Sequence, residues 1–417
     1  MRYIDLFAGA GGFSEGFKRA GFEPVAHVEV NTAACFTLKT RLAYYYLTEN
    51  DKKDIYVQYL KGEINREELY SFIPPHLLDS VINLSIGDEN NSEIFQIIDK
   101  LKAKEDIDII VGGPPCQAYS LVGRARDENR MEGDPRNYLY VQYGKFLRKY
   151  NPKLFIFENV LGLLSAGEGK HFQNIQRYYT KIGYVVEPVI VKAKEFGVLQ
   201  NRKRVLILGW QKDLNLSIDI LDGQDNSNSM VKSIFSGLPK LQAGEGKDKY
   251  SRYTAGRIDD YLHSAKLRNG IDILTQHIAR PHTEQDKEIY RITVEKWKIN
   301  KERLNYNDLP DKLKTHNNRF SFLDRFKVVA DDMPYSHTIV AHIAKDGHYY
   351  IHPDLEQNRS ISVREAARLQ TFPDDYYFEG TKEGQVRTPA FRQIGNAVPP
   401  LMIEKIAKKF MTYLAGK

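Results

Sequence analysis

The chain has 417 residues, of which 42% are hydrophobic and 27% are charged, and its formal net charge is +6. At about 100–200 residues per domain, this length allows two to four folded domains, and the composition excludes wholesale disorder and collagen-like or low-complexity architectures. Two cysteines, Cys35 and Cys116, are too few for a disulfide framework and form neither a CxxC pair nor a zinc-ligand spacing.

The sequence also bears on the compartment. It contains no run of about 18 apolar residues, and it enters a strand-like segment at once, without the basic and apolar regions of a signal peptide. The low cysteine content favours a reducing environment. We therefore expect no membrane span and residence in the cytoplasm, or in the nucleus of a eukaryotic cell.

Apolar strands alternate with helical stretches over the first half of the chain. Residues 3–7 predict a strand, the glycines at 9–12 a turn, and the following residues a helix with Phe13, Phe17 and Ala20 on one face. Further strands are predicted at 24–30, 106–113, 153–159, 185–191 and 204–210, and further helices at 137–149 and 170–182. The alternation predicts an α/β fold with a mostly parallel, doubly wound sheet, whose reactive groups belong at the carboxyl ends of the strands.

This alternation stops near residue 210, where we place a domain boundary. Residues 211–330 are polar and carry 21 Lys and Arg against 17 Asp and Glu, a net charge of +4. Most of the positive excess of the chain therefore lies in this segment. A nucleic-acid surface would explain it, and so would an ordinary solvated surface.

The remaining segments are mainly helical. Residues 359–374 predict a turn, an amphipathic helix with Val363, Ala367 and Leu369 facing inward, and a proline stop. The last helix is predicted at 399–413, packed back on the first domain. The stretch 40–80 contains helical segments to which the sequence assigns no role.

The first chemical motif is D5-L-F-A-G-A-G-G-F, a glycine-rich turn between a strand and a helix. It lacks the GxxxxGK[ST] pattern of phosphate-binding loops and the GxGxxG spacing of dinucleotide sites, so ATP hydrolysis and a dinucleotide cofactor are disfavoured. Such a turn suits the backbone for close approach to a nucleoside cofactor, with Glu29 placed to bind ribose hydroxyls and Asp88 to accept from an adenine amino group. The alternative is a tight turn that needs glycine only for its geometry.

The second motif, G112-G-P-P-C-Q-A-Y-S, follows a predicted buried strand. Two prolines fix the direction of Cys116, whose thiolate would be a strong nucleophile. Cys35 lacks this context and is interpreted as a small core residue. Because no histidine stands in a matching motif at a strand end, a cysteine protease remains a minor alternative.

Three further motifs carry polar side chains at strand ends. Glu158, in F157-E-N-V, ends an apolar strand, where desolvation would favour the protonated form and make it a proton donor; the alternatives are an N-cap or a structural ion pair. Arg202 and Arg204, in Q200-N-R-K-R-V, lie on one face of a strand, unless they only form surface salt bridges. Asn396, in Q393-I-G-N-A-V-P-P, opens the last helix and could be only its cap.

Together these motifs resemble those of the DNA (cytosine-5) methyltransferase family. Six blocks occur in the order of that family: DLFAGAGGF, Glu29, GGPPCQAYS, ENV, QNRKRV with the later REAARLQTFPD, and QIGNAVPP. The resemblance covers about residues 1–38, 86–210 and 331–417. It implies a methyltransferase α/β domain at 1–210, a smaller target-recognition domain at 211–375, and a C-terminal segment at 376–417 that returns to the first domain.

The resemblance also implies roles for individual residues. Phe7 would stack on the adenine of S-adenosylmethionine, Glu29 would bind its ribose and Asp88 its adenine amino group. The other residues implied in the cofactor pocket are Ala8, Gly9, Gly11, Gly12, Val30, Pro114, Leu139, Asn396 and Val398. In the catalytic site, Cys116 would attack cytosine C6, Glu158 would hold N3 and N4, Arg204 would contact O2 beside Arg202, and residues 117–136 would close over DNA.

The implied reaction is methyl transfer to C5 of a flipped-out cytosine in a specific duplex DNA sequence, for restriction–modification protection or epigenetic marking. Double-stranded DNA is the expected partner, no metal is expected, and a monomer without an obligate protein partner is expected. One rival is a tRNA cytosine-5 methyltransferase; its marker tripeptide Cys-Phe-Thr occurs here at C35-F-T, outside the recognition region. The other is a catalytically silent DNA-binding member, which is disfavoured because the Pro-Cys and Glu-Asn-Val residues are intact.

Overall fold

The structure of the chain is a computed structural model. It describes residues 1–115, 138–217, 221–223, 225, 227–268, 270–317, 320 and 322–416. The predicted nucleophile Cys116 and the predicted closing loop 117–136 lie outside these residues.

A seven-stranded sheet forms the centre of the fold, with the strand order β3-β2-β1-β4-β5-β7-β6. Its strands are β1 (Arg2–Leu6), β2 (Glu23–Val28), β3 (Val81–Ile82), β4 (Ile109–Gly112), β5 (Leu154–Asn159), β6 (Tyr184–Lys192) and β7 (Lys203–Gln211). The first five strands pair in parallel, whereas β7 is antiparallel to both of its neighbours, β5 and β6. The predicted α/β class with a mostly parallel sheet is confirmed.

Helices cover both faces of this sheet. The helices of the described ranges, on the sheet and away from it, are α1 (Gly12–Arg19), α2 (Thr32–Glu49), α3 (Lys53–Lys61), α4 (Arg66–Ser71), α5 (Pro75–Asp79), α6 (Asn91–Lys102), α7 (Leu139–Tyr150), α8 (Gly162–Ser165), α9 (Lys170–Lys181), α10 (Asp260–Ser264), α11 (Glu284–Asn300), α12 (Val363–Leu369), α13 (Arg387–Asn396) and α14 (Pro400–Ala415). Two short strands, β8 (Gly246–Lys247) and β9 (His277–Ile278), pair outside the main sheet. Apolar residues of α1 and α14 pack on one face of the sheet, and those of α6, α7 and α9 on the other.

The last helix packs closely on the first. A Cβ atom added to Gly16 of α1 would lie 2.6 Å from Ile403 of α14, so the two helices approach to a distance that only glycine allows. The same core continues into residues after the sheet and includes Val231, Ile234 and Leu262. The division at residues 210 and 375 stays a prediction.

Two separate apolar clusters lie away from the sheet. Helices α2 to α4 of the 40–80 stretch pack through tyrosines, including Tyr44, Tyr56 and Tyr59, against Ile271 and Tyr377. A second cluster lies within 289–351 and is formed by α11 and the loops that follow it. The 40–80 stretch therefore connects the first half of the chain to later segments.

Two sequence predictions about helices are wrong. The helix predicted within 359–374 is not amphipathic, because every residue of α12 is buried; Arg368 forms a bidentate ion pair with Asp374 at 2.9 and 2.6 Å, which compensates its charge. Asn396 does not open the last helix: it ends α13, and α14 begins at Pro400. Across the described ranges, no helix is long and apolar enough to cross a membrane.

Candidate functional site

The glycine-rich turn after β1 meets the end of β2 through Glu29. The backbone N–H of Gly9 donates to Oε2 of Glu29 at 2.8 Å, and the N–H of Asn31 donates to Oε1 at 2.7 Å. Burial raises the pKa of Glu29, and these backbone hydrogen bonds oppose the rise. Each carboxylate oxygen has a second acceptor position, so Glu29 can accept further hydrogen bonds from ligand hydroxyls.

Each glycine of the turn is favoured at its position for a different structural reason. Gly11 has φ 77°, and an added Cβ would lie 2.8 Å from Leu38. At Gly12 an added Cβ would lie 2.3 Å from the carbonyl oxygen of Val398, so the turn and the segment before α14 are in contact, as the resemblance implies. At Gly9, which has φ 53°, an added Cβ would meet nothing within 4 Å.

The open space at Gly9 and the hydrogen-bonded carboxylate of Glu29 fit the cofactor of the family that the sequence resembles. Phe7, with φ 57°, leads from β1 into this turn and is half-buried, and Ala8 donates its N–H to the carbonyl of Val28 at 3.1 Å. Val30 lies 64% exposed beside Glu29. A backbone turn with open space at Gly9 and a carboxylate with free acceptor positions suit the nucleoside and amino-acid parts of S-adenosylmethionine.

The other residues predicted for the cofactor differ in their surroundings. Pro114 is buried directly after β4, Leu139 is half-buried at the start of α7, and Asn396 is exposed. The carboxylate of Asp88 is 73% exposed and forms an ion pair with Lys145 of α7. Asp88 follows the end of β3 by six residues, and its contact with adenine stays a prediction.

Glu158 and Arg204 are brought together on neighbouring strands. Nε of Arg204 lies 2.7 Å from Oε1 of Glu158, and each side chain is 14% exposed. Gly113 leaves room for this carboxylate, because an added Cβ there would lie 2.7 Å from Oε2 of Glu158. Of the alternatives weighed for Glu158, an ion pair is the one the structure contains. A carboxylate and a guanidinium side by side present acceptors and donors to a polar ring edge.

Arg202 is more deeply buried than Arg204 and has different partners, and its predicted place in the active site stays a prediction. Its side chain is 1% exposed, and Nη1 donates to the carbonyl of Ile339 at 2.7 Å. Gln200, also buried, accepts from the N–H of Ile339 at 2.9 Å, and Thr338 donates to the carbonyl of Asn201 at 2.9 Å. The segment before β7 is therefore bonded to residues 338–339, and Arg202 faces that backbone.

Two residues of this site, Asn83 and Tyr376, are not predicted from the sequence. Asn83, the first residue after β3, donates from Nδ2 to the carbonyls of Glu29 and Val30 at 3.0 and 2.9 Å. The hydroxyl of Tyr376 donates to the carbonyl of Ala10 inside the glycine-rich turn. Asn83 could have been found from its place at a strand end, had the two-residue strand β3 been recognised; Tyr376 carries no signal in the sequence.

Asp5, the first residue of the glycine motif, is fully buried under the turn. The hydroxyl of Ser14 donates to its Oδ2 at 2.6 Å, while its Oδ1 has no hydrogen-bond partner among the described residues. Burial raises the pKa of Asp5 to about 7, against the hydrogen bond from Ser14. Within the described ranges, no group of three or more His, Cys, Asp or Glu side chains could hold a metal ion.

Comparison with known proteins gives a family and a fold. A family model described as C-5 cytosine-specific DNA methylase matches residues 1–68 and 80–412. The chain is 40% identical over 450 aligned positions to the Type II methyltransferase M.Bpa9945I of Bacillus paralicheniformis, with 100% of both chains covered. It is 29% identical to the Type II methyltransferase M.DdeI of Desulfomicrobium norvegicum, covering 99% of this chain and 89% of that relative.

Among solved structures, a prophage-encoded E. coli protein described as a DNA modification methyltransferase matches with a TM-score of 0.64 and 22% identity, over 100% of this chain and 99% of that one. At this identity the likeness shows the fold alone.

Proposed function

We propose, from the premise that this chain belongs to the C-5 cytosine-specific DNA methylase family, that it is the modification enzyme of a Type II restriction–modification system and methylates one cytosine of a specific duplex sequence. Family membership makes it a cytosine-5 DNA methyltransferase that uses S-adenosylmethionine. The link to restriction–modification is supported by the names of the two bacterial relatives, which match nearly the whole chain. The bacterial cytoplasm is the compartment this proposal assigns.

The observation that carries the proposal is the position of two polar pairs at one edge of the sheet. The Gly9–Glu29 contact lies where β1 and β2 end, and the Glu158–Arg204 pair lies between the end of β5 and the start of the antiparallel strand β7. Since the carboxyl ends of parallel strands share an edge, a cofactor at the first pair and a base at the second face each other across it.

The residues around the glycine-rich turn would hold S-adenosylmethionine. Glu29 would accept hydrogen bonds from the ribose hydroxyls while it holds the N–H of Gly9, and Phe7 would pack on the adenine. The other residues around the cofactor would be Ala8, Gly11, Gly12, Val30, Pro114, Leu139 and Val398. When bound there, the cofactor supplies an electrophilic methyl group. Asp88 and Asn396 belong to the same proposal as the more exposed members of the pocket.

The side chains of this chain then prepare the cytosine. Cys116 adds to C6 as a thiolate, which breaks the C5=C6 π bond and makes C5 nucleophilic. Once C5 carries the methyl group, its proton is lost to water and the thiolate leaves C6, which restores the C5=C6 bond. Glu158 holds N3 and the N4 amino group, and Arg204 holds O2, so that the ring is oriented and charge developing on it is stabilised. Arg202 acts through the 338–339 backbone, which it supports. Because C6 is inaccessible in a stacked duplex, the base must leave the helix.

Residues 211–375 form the proposed recognition domain, and the enzyme is proposed to act as a monomer on double-stranded DNA. The rival substrate is transfer RNA. Its marker tripeptide falls in α2, where Cys35 is buried and its thiol donates to the carbonyl of Glu29 at 3.2 Å. Cys35 thus supports the site from within the fold and is not presented to a nucleic acid.

Bisulfite sequencing tests the proposal directly. DNA and transfer RNA are taken from cells that express the protein, with a Cys116→Ser strain as the matched control. We expect protection of cytosine in one DNA sequence context only, absent in the control strain. Protection confined to transfer RNA would establish the rival substrate, and no protection in either would refute the proposed function.

A further inference from the structure

Two arginines, Arg280 and Arg387, lie together without a carboxylate partner. Nη1 of Arg387 contacts the carbonyl of Ala279, the residue before Arg280, at 3.5 Å. In the part of the chain that the structure describes, no carboxylate oxygen lies within 4.0 Å of either guanidinium. Burial lowers the pKa of Arg280, and the charge of Arg387 lowers it further. The two guanidinium groups therefore repel each other with little compensation.

Arg280 is held in one orientation by backbone carbonyls. Nη2 donates to Ile343 and Ala344 at 2.9 and 3.2 Å, and Nη1 donates to Lys345 at 3.2 Å. Among the acidic residues, Asp346 raises the pKa of Arg280 most, but its carboxylate is already bonded to His342 and Arg325. With five N–H donors, a guanidinium held in this way keeps donors for an anion.

Arg387 is the first residue of α13 and is half-buried. Its Nε is buried without a hydrogen-bond partner among the described residues, and the Nη1 contact at 3.5 Å is long for a hydrogen bond. Its charge is thus poorly compensated where it stands. A dianionic or monoanionic oxygen group that meets both arginines would remove the repulsion and gain charge-assisted hydrogen bonds.

The position of this pair relates it to the Glu158–Arg204 site. Arg202, two residues before Arg204, donates to the carbonyl of Ile339. The next residues, Val340 and Ala341, are so close to α13 that a Cβ on Gly395 would lie 2.4 Å from their backbone atoms. From Gly395 the helix runs back eight residues, about 12 Å at ~1.5 Å per residue, to Arg387.

We propose that Arg280 and Arg387 together bind one phosphate of the DNA backbone. The inference rests on the proposed function for its substrate, duplex DNA, and adds a sequence-independent contact to it. A phosphodiester offers two charged oxygens to the two guanidinium groups. The contact anchors the duplex beside the 338–341 segment while leaving the choice of sequence to other residues.

The first test is the salt dependence of DNA binding. Equilibrium dissociation constants are measured from about 50 to 200 mM salt for the full-length protein, on duplexes with and without the mapped target site. We expect Arg387→Gln to reduce the slope of log K against log[salt] by about 0.9, the value for one phosphate, on both duplexes. Arg387→Lys should keep most of the slope. The matched control is Arg2→Gln, which removes an arginine paired with Glu105 at the start of β1, the opposite edge of the sheet from the proposed site, and should keep all of it.

Two further measurements decide the outcome if Arg387→Gln folds poorly. Neutral methylphosphonate linkages, placed singly along the target duplex, should include one that weakens binding of the unaltered protein but not of Arg280→Gln. Arg280→Gln combined with Arg387→Gln should lose no more slope than either alone, since both meet one phosphate. A wild-type slope in Arg387→Gln, an equal loss in Arg2→Gln, or no linkage whose effect depends on Arg280 would overturn the inference. Absence of any methylated cytosine would refute the proposed function separately, because these tests measure binding alone.

Discussion

Arg204 pairs with Glu158 diagonally across two antiparallel strands. Glu158 of β5 is opposite Leu206 of β7, and Arg204 lies two residues before Leu206, on the same face of the sheet. The 2.7 Å contact between Arg204 Nε and Glu158 Oε1 follows from this register. The antiparallel insertion of β7 next to β5 is therefore what joins the two side chains, and it fixes the direction of both.

We expect Glu158→Gln to lower the rate of methylation by about 10²-fold or more, because the amide cannot carry the negative charge that holds the cytosine ring edge. Its size is unchanged, and its carbonyl oxygen can still accept from Arg204. The thermal midpoint should therefore change little. Single-turnover methylation assays and thermal unfolding of the same samples measure the two effects.

The control for this variant is Glu187→Gln, which removes an exposed carboxylate from the edge strand β6, on the far side of β7 from Glu158. It should leave the methylation rate unchanged. Equal losses in both variants would mean that the rate responds to net charge, and an active Glu158→Gln enzyme would remove Glu158 from the reaction.

A target cytosine with fluorine at C5 tests the assignment of Cys116. Fluorine replaces the proton that must leave, so after methyl transfer the thiolate cannot be eliminated and the protein should stay bound to the DNA. Denaturing gel electrophoresis should reveal a protein–DNA band that requires S-adenosylmethionine and is lost in Cys116→Ser. Cys35→Ser should keep the band, because burial raises the pKa of the Cys35 thiol to about 12 and leaves it inert. A stable adduct in the Cys116 variant would sink the nucleophile assignment.

Most of the strands, and the positions of the polar side chains at their ends, could be predicted from the sequence. The strands over 2–6, 154–159 and 203–211 agree with predictions to within two residues, because buried strands read as continuous apolar runs. The prediction failed for β3, where Val81–Ile82 is too short to show a pattern, so that Asn83 was missed.

Tertiary contacts, which local sequence patterns do not show, explain the two wrong helix predictions and the pairing of Arg204 with Glu158. The buried helix α12 was predicted as amphipathic because Arg364 and Arg368 count as polar, whereas their partners, Thr275 and Asp374, are distant or follow the helix. Asn396 was placed at the start of a helix because the prolines after it suggest an N-terminus, but α13 precedes them. The pairing of Arg204 with Glu158 required the strand order, which the sequence does not contain.

Glu29→Ala should weaken S-adenosylmethionine binding about 10- to 100-fold, the effect of losing hydrogen bonds of ~1.5–3 kcal/mol to a charged group. The variant also frees the N–H groups of Gly9 and Asn31, which Glu29 now binds. Isothermal calorimetry with the purified protein measures the change. Asp88→Ala, measured alongside, should weaken binding if its carboxylate reaches the adenine, and an unchanged affinity in either variant would remove that residue from the site.

The buried carboxyl of Asp5 should make stability fall as pH rises. Its pKa is raised by burial to about 7 in the folded chain, against an unperturbed value of ~3.9, so between about pH 4 and 7 the folded state holds a proton that the unfolded state has lost. The stabilisation is complete below the unfolded pKa and is lost as pH approaches the folded one. His27, opposite Asp5 on β2, is neutral in the folded chain over most of this window, because burial lowers its pKa to about 4.

Asp5→Asn isolates this effect, since the amide is neutral at every pH and its oxygen can still accept from Ser14. From pH 5 to pH 8, the free energy of unfolding of the variant relative to the unaltered protein should rise by roughly 3 kcal/mol. Other titrating groups, such as the buried histidines, contribute equally to both proteins and cancel in the difference. Urea unfolding at several pH values measures it. Parallel stability curves for the two proteins would mean that Asp5 is ionised in the folded chain, with a partner or water at Oδ1 to compensate its charge.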